Sequence, residues 1–112
     1  MTRRERQLSA LRAGRAALLV VDVQRSFADP DHLAGYHLPP DASAAVASAV
    51  KTTSTLVDAA REANVPVFWV GLGTDPATPW RASLWFRTGD PDATYGPDEP
   101  CVVGTPGAEW YA

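Results

Sequence analysis

One aspartate interrupts the most apolar run of the chain, and its position suits acid–base chemistry. The run AALLVVDV spans residues 16–23, and Asp22 stands close to its end. In open parallel sheets, ligands bind beyond the carboxyl ends of the strands. Partial burial there raises the proton affinity of a carboxylate unless a cation compensates, which suits a general acid or base. By position alone, an Asp that only accepts loop amide hydrogens fits equally well.

Three other residues of chemically active types are weaker candidates. His32 and His37 lie in the segment after Asp22, and no third ligand has the spacing of a metal site. We therefore expect solvated loop histidines, no metal and no other cofactor. The only cysteine, Cys101, cannot form an internal disulfide, and no basic residue lies near it in the sequence. We expect a part-buried structural thiol at this position.

Charge and composition exclude several classes of partner. Residues 1–15 carry five arginines, whereas residues 26–112 carry four basic residues against eleven acids. No aromatic residues interleave with the basic arm, so we expect no nucleic-acid partner and predict a solvated leader or short helix with Leu8 and Leu11 facing inward. No apolar run approaches the ~18 residues of a membrane span, so no membrane partner is expected. The single cysteine fits a cytoplasmic protein.

The elements that must position Asp22 form a strand–helix–strand unit. The continuous apolar run over residues 16–23 predicts a strand covered on both faces, as in parallel sheets. Residues 24–40 carry three prolines and predict a loop. Residues 65–70 predict a second strand, with Pro66 at its permitted start. The crossover between the two parallel strands should be right-handed.

The helix between these strands is predicted from its caps and its apolar spacing. Asp41 or Ser43 can cap its start, and it should run to about Ala63. Asn64 suits the left-handed position that ends a helix, and Val65–Pro66 forbids continuation. The predicted inward stripe has near-helical spacing and comprises Val46, Ala49, Val50, Leu56, Val57 and Ala60.

The second half of the chain does not complete this fold. Residues 71–100 predict a punctuated loop in which only residues 80–86 suit a short helical turn. GTPGAEWY, with Pro106 near its start, is typical of a helix entry. Two parallel strands and one full helix do not make a stable sheet. We expect either a fragment or a chain that another subunit completes.

Three sequence blocks resemble the isochorismatase-like cysteine hydrolase family. They read ALLVVDVQRSF, AREANVPVFWV and GTPGAEW, and the resemblance covers residues 16–112 in order. It implies an α/β fold with a three-layer (Rossmann-like) parallel sheet, incomplete in this chain. The expected organisation is a single truncated domain over residues 1–112, with a basic leader over residues 1–15.

The resemblance also implies a catalytic triad of Asp, Lys and Cys, of which Asp22 matches the first. In such enzymes the Asp deprotonates the thiol, the thiolate attacks a carbonyl to form a thioester, and water cleaves it. The Lys favours the thiolate. Neither Lys51, inside the predicted helix, nor Cys101, ahead of the GTPGAE block, has the order of the family's Lys or Cys. We expect this chain alone to be inactive.

Two further positions match the motif that follows the aspartate. Gln24 is expected to bind substrate or support the site, either by orienting Asp22 or by holding the loop. Phe27 is expected to line the pocket or to pack in the core. Arg25 and Ser26 replace the Asn-Asp pair common in relatives, so the resemblance does not extend to the fine substrate contacts. The aromatic residues between 80 and 86 could wall a pocket or contact a subunit.

The function implied is hydrolysis of a small molecule, most directly at a C–N bond of an amide or ureide. Isochorismatases proper cleave a vinyl ether, so the bond type stays open. The resemblance implies an Asp-x-His pattern after the second strand in the metal-dependent nicotinamidases. Residues 71–80 contain Asp75 but no His, so a nicotinamidase of this kind is not expected. A phosphoryl-transfer Asp is discounted, because Arg12 and Arg15 precede the strand where further acids would be needed. The alternative is a non-catalytic relative acting as a dimerisation or regulatory module, and a homo-oligomer is expected for the full-length form.

Overall fold

The structure, a computed structural model, describes residues 1–11, 13–77, 89–90, 92 and 99–111. The interpretations placed on residues 80–86 therefore lie outside the described residues. The described part contains two β-strands, four α-helices and three short 3-10 turns. The strands are β1 (Leu18–Val21) and β2 (Val67–Val70), the helices are α1 (Arg3–Ala10), α2 (Arg25–Ala28), α3 (Pro30–Leu33) and α4 (Pro40–Glu62), and the turns are Ala13–Arg15, Ala34–Tyr36 and Pro106–Ala108.

The two strands pair in parallel, as the strand–helix–strand pattern predicts. The register runs from Leu18 opposite Val67 to Val21 opposite Val70. Both strands are shorter than predicted, for two local reasons. Pro66 lacks an amide donor, although its carbonyl still accepts from the Leu18 amide at 2.8 Å. At the other end, Asp22 turns the backbone out of the sheet with a φ of 57°.

One face of this sheet is covered and the other is open among the described residues. Helix α4 packs against both strands, and Val20 on the covered face is buried. The opposite face consists of four large apolar side chains that are all exposed: Leu19, Val21, Phe68 and Val70. Parallel sheets are normally covered on both faces, so the described sheet is an incomplete one.

Helix α4 begins at a different cap from the two that were predicted. Its cap is Pro39, which makes no side-chain hydrogen bond, and Pro40 occupies its first turn. The prediction of Asp41 or Ser43 as cap was wrong because Pro40 starts the helix. Its φ already suits a helix start, and it has no amide proton that needs an acceptor. Asp41 instead lies in the first turn, where a negative charge is favourable.

The end of α4 confirms the role predicted for Asn64. Asn64 has a φ of 55°, and its amide donates to the Arg61 carbonyl at 3.1 Å. The amide of Val65 reaches back to the Ala60 carbonyl at 2.8 Å. Together these two bonds form a Schellman motif, which satisfies carbonyls that the helix end leaves free.

The inward stripe of α4 is correct only in part. Val57 and Ala60 are buried, and Val46 and Val50 are half-buried. Leu56 was predicted to face inward, but 51% of it is exposed. Ala49 is exposed as well. The predictions that Ala49 and Leu56 face inward were wrong because only a narrow strip of α4 contacts the two-stranded sheet.

Two further predictions are corrected at the amino-terminal side. The predicted loop over residues 24–40 contains the short helices α2 and α3, and Asp29 caps α3 by accepting the Asp31 amide. The leader does form a helix, α1, which a capping box at its start stabilises. However, Leu8 and Leu11 are exposed, because no apolar surface of the described chain reaches them. None of the helices described is long and apolar enough to cross a membrane.

Candidate active site

Asp22 lies where β1 leaves the sheet, and its side chain is presented at the sheet's carboxyl edge. Its amide donates to the Val70 carbonyl at 2.8 Å, and its own carbonyl accepts from the Gln24 amide at 2.9 Å. The left-handed φ of 57° is rare for a residue with a Cβ, and Asp is one of the few that adopt it readily. The residue is exposed, whereas the sequence predicted it half-buried.

Gln24 lies directly beneath this turn, and its side chain ties three segments together. Its Nε2 donates to the Leu72 and Ala108 carbonyls, both at 2.9 Å. Its Oε1 accepts from the Leu72 amide at 2.8 Å. With 2% of the residue exposed, the amide is directed inward and both of its protons are used within the protein.

Cys101 is held at the same edge of the sheet by residues that follow both strands. Its amide donates to Ser26 Oγ at 2.9 Å, and its carbonyl accepts from the Thr74 amide at 2.9 Å. The Thr74 hydroxyl donates to the Pro100 carbonyl at 2.7 Å. Only 1% of Cys101 is exposed, so the thiol is more deeply buried than the sequence predicted.

The electrostatic surroundings of Cys101 disfavour a thiolate. Burial raises the pKa of the thiol above its ordinary value, and the negative charge of Asp22 raises it further. A hydrogen bond with Ser26 acts in the opposite direction and lowers the thiol pKa. Nothing in the sequence indicated that Cys101 would be bonded to the segment that follows Asp22.

The GTPGAEW block and Tyr111 after it are bonded to the segment that follows β1. The Glu109 carbonyl accepts the Arg25 amide at 2.9 Å, and the Val23 carbonyl accepts the Tyr111 amide at 3.0 Å. The Arg25 guanidinium also lies 3.3 Å from the Glu109 carboxylate. This block starts its short 3-10 turn at Pro106, in agreement with the predicted helix entry.

A second ion pair fixes the segment that follows Asp22. Arg25 Nε donates to Asp29 Oδ2 at 2.8 Å. The Asp31 amide and the Arg25 side chain together lower the pKa of the Asp29 carboxyl. His32 Nδ1 lies 3.6 Å from the same carboxylate, too far for a hydrogen bond.

The two histidines differ in their surroundings. His37 is exposed, as expected of a loop histidine, whereas His32 is half-buried in α3. Its Nδ1 is buried and has no hydrogen-bond partner among the described residues. No group of three or more His, Cys, Asp or Glu residues in the described ranges is arranged to hold a metal ion.

The remaining site candidates are placed by the same elements. Phe27 lies half-buried in α2, and its amide donates to the Gln24 carbonyl at 2.9 Å. Lys51 is exposed in the middle of α4. Of the residues singled out in the sequence, the structure thus brings Gln24 and Cys101 to the carboxyl edge of the sheet, where Asp22 lies.

Sequence reasoning missed two residues that shape this edge. Ser26 is buried and receives the Cys101 amide. Gly107 lies so close that a Cβ added to it would overlap Ser26 Oγ. Neither the residue type nor the spacing of Ser26 indicated its long-range partner.

These observations define an α/β protein with a parallel βαβ unit and a carboxylate at the carboxyl edge of its sheet. The isochorismatase domain family matches residues 16–109, so the chain belongs to the isochorismatase family. The membership agrees with the α/β fold and makes the chain a member of a hydrolase family. Comparison with curated proteins and with solved structures found no match.

Proposed function

We propose that this chain supplies the general base of an isochorismatase-like cysteine hydrolase that acts on a small molecule. The observation that supports this proposal is the position of Asp22, which is exposed at the carboxyl end of β1 and turned out of the sheet. An exposed carboxylate at that edge can reach a substrate and take up the proton of a thiol. The reaction proposed is cleavage of a C–N bond in an amide or ureide.

The other two members of the triad are proposed to come from outside residues 1–112. The only lysine, Lys51, is exposed in the middle of α4, 29 residues after Asp22 and ahead of the GTPGAEW block. The only cysteine, Cys101, is buried, and burial raises the pKa of its thiol, which disfavours the thiolate. A nucleophilic cysteine needs the opposite surroundings, with access to substrate and a neighbouring cation. We therefore propose that the 112-residue chain, as a truncated domain, is inactive by itself.

The test compares the 112-residue protein with the product of its reading frame extended beyond Ala112. Both are assayed for ammonia release from a panel of amides and ureides, and for cleavage of a vinyl ether such as isochorismate. We expect activity only in an extended product that contains a Lys and a Cys after the GTPGAEW block. In that product Asp22→Asn should lower kcat/KM by about 10²–10⁴-fold, the range of general base catalysis, whereas Cys101→Ala should leave it unchanged.

Two outcomes would contradict this proposal. One is amide hydrolysis by the purified 112-residue chain that survives Cys101→Ala. The other is an extended product whose activity is unaffected by Asp22→Asn. Vinyl-ether cleavage without ammonia release would keep the family but replace the C–N bond as the substrate class.

The open face of the sheet favours a second candidate, a non-catalytic dimerisation or regulatory module. Leu19 and Phe68 are more than half exposed on that face, and apolar surface of this kind marks interaction sites. The module predicts a homo-oligomer that unfolds cooperatively. Sedimentation equilibrium of the 112-residue chain measures its oligomeric state, and dye binding and thermal unfolding measure its packing. A monomer that binds a hydrophobic dye and lacks a cooperative unfolding transition would exclude this candidate. For both candidate functions we propose a cytoplasmic location, which fits a single unpaired cysteine.

A further inference from the structure

The pairing of β1 and β2 follows a regular parallel pattern up to Asp22. The Leu18 amide donates to the Pro66 carbonyl, and four residues later the Asp22 amide donates to the Val70 carbonyl, both at 2.8 Å. If the ladder continued, the Leu72 amide would donate to the Asp22 carbonyl. In the same ladder, Gln24 would donate its amide to the Leu72 carbonyl.

The backbone does not make these two bonds, because the left-handed turn at Asp22 removes it from the sheet. The Gln24 amide folds back and donates to the Asp22 carbonyl at 2.9 Å. Two main-chain groups of the segment that follows β1 thus satisfy each other within the turn. The amide and the carbonyl of Leu72 on the neighbouring segment, which lie in part-buried surroundings, are left to find other partners.

The side chain of Gln24 supplies both missing partners. Its Oε1 accepts from the Leu72 amide at 2.8 Å, in place of the Asp22 carbonyl. Its Nε2 donates to the Leu72 carbonyl at 2.9 Å, in place of the Gln24 main-chain amide. The side-chain amide has the donor and acceptor of a peptide group at matching positions, so it extends the ladder by one peptide equivalent.

The second proton of Gln24 Nε2 bonds the side chain to a different segment of the chain. It is donated to the Ala108 carbonyl at 2.9 Å, within the GTPGAEW block. With both protons used and 2% of the residue exposed, Gln24 has no donor left for a substrate. Its geometry therefore favours site support over substrate binding.

We propose that Gln24 is the positioning residue for Asp22: its side-chain amide replaces a peptide group in the ladder and so permits and holds the turn that presents the carboxylate. The role rests on the proposed function of Asp22 as general base. Without the amide, the Asp22 turn would leave Leu72 unpaired, and the backbone would gain by returning to the sheet. The carboxylate would then leave the position that the turn gives it at the edge of the sheet, and its effect on the pKa of the Cys101 thiol would change.

The test uses the Cys101 thiol of the 112-residue protein as a reporter of where Asp22 lies. The thiol pKa is measured from the pH dependence of the Cys101 Cβ chemical shift in wild type, Asp22→Asn, Gln24→Met and the double variant. In wild type, Asp22→Asn should lower the thiol pKa because it removes a nearby negative charge. In the Gln24→Met background, that shift should be lost. The cycle cancels changes of burial that Gln24→Met causes by itself.

Gln7 provides the matched control, because it is exposed on α1. Gln7→Met should leave the shift caused by Asp22→Asn at its wild-type size. A shift of that same size in the Gln24→Met background would overturn the proposal, since a purely structural glutamine changes stability without uncoupling Asp22 from Cys101.

A measurement on the wild-type protein covers the case in which Gln24→Met does not fold. Both Nε2 protons of Gln24 should exchange with solvent much more slowly than those of Gln7, because both are held in hydrogen bonds by a side chain of a buried residue. Equal exchange rates for the two side chains would overturn the proposal. Neither measurement uses enzyme activity, so a failure here is separable from a failure of Asp22→Asn to abolish hydrolysis in the extended product.

Discussion

Ser26 and Cys101, 75 residues apart in the sequence, are joined by a buried hydrogen bond from the Cys101 amide to Ser26 Oγ at 2.9 Å. Ser26 follows β1, and the Cys101 carbonyl accepts from Thr74, which follows β2. Cys101 itself has a φ of 55°, a conformation that costs energy for a residue with a Cβ. Its partners on either side therefore hold a strained residue at the carboxyl edge of the sheet.

Replacing Ser26 by Ala should destabilise the protein. The Cys101 amide would remain buried without its acceptor, which costs about 1–3 kcal/mol of unfolding free energy. Ser26→Ala should also raise the thiol pKa further, because the hydrogen bond with Ser26 lowers it in the wild type. Urea unfolding and a thiol titration measure the two effects. Ser54→Ala, at an exposed position of α4, is the control and should change neither.

Gly107→Ala should disturb the same contact from the other side. An added Cβ would overlap Ser26 Oγ, and overpacking of this kind typically costs about 1–3 kcal/mol. The matched control is Gly35→Ala, because a Cβ there meets no described atom within 4 Å. Thermal unfolding of both variants is the measurement. Equal melting temperatures would show that the GTPGAEW block does not pack against Ser26 in solution.

Local features of the fold could be predicted from the sequence because their causes are local. Asn64 ends α4 in the left-handed conformation as predicted, since the preference of Asn and the following Val-Pro act within a few residues. The parallel pairing of the strands also followed from the apolar runs. Leu56 shows the limit: helical spacing identifies an apolar stripe, but how much of the stripe is covered depends on the width of the sheet beneath it.

The candidate site was predictable only where it lies next to a strand. The position of Asp22 follows from the interruption of an apolar run, and its left-handed turn was not foreseen. The partners of Gln24 lie 48 and 84 residues away, and those pairings are set by the packed loops rather than by spacing. For the same reason, the bond between Cys101 and Ser26, four residues after Asp22, has no signature in a single sequence.

A pair of neighbouring substitutions in α4 tests which part of the stripe is in the core. Val57→Ala should cost about 1–3 kcal/mol, since it removes two buried carbons and leaves a cavity. Leu56→Ala should stay within about 0.5 kcal/mol, as expected of an exposed site. Chemical denaturation of both variants gives the comparison. A larger loss for Leu56→Ala would mean that another surface covers this residue in solution.

Asp29 should make the folded state sensitive to acid. The Asp31 amide and Arg25 hold the pKa of the Asp29 carboxyl below its ordinary value, so this group stabilises the fold above the pKa of an unfolded Asp, about 3.9. That contribution should be lost as the pH falls through the lower pKa of the folded state. Asp29→Asn should therefore flatten the decline of melting temperature below about pH 4 and lower the melting temperature at neutral pH.

The control for this pH dependence is Asp58→Asn. Asp58 lies on α4 with 72% of its side chain exposed, and its contact with Arg61 is a long one of 4.0 Å. Removing an exposed charge of this kind should leave the pH profile as it is in the wild type. If Asp29→Asn keeps the full acid-induced loss of stability, the bonds from Asp31 and Arg25 do not persist in solution. The segment between Asp22 and α4 would then be held by its backbone contacts with the GTPGAEW block instead.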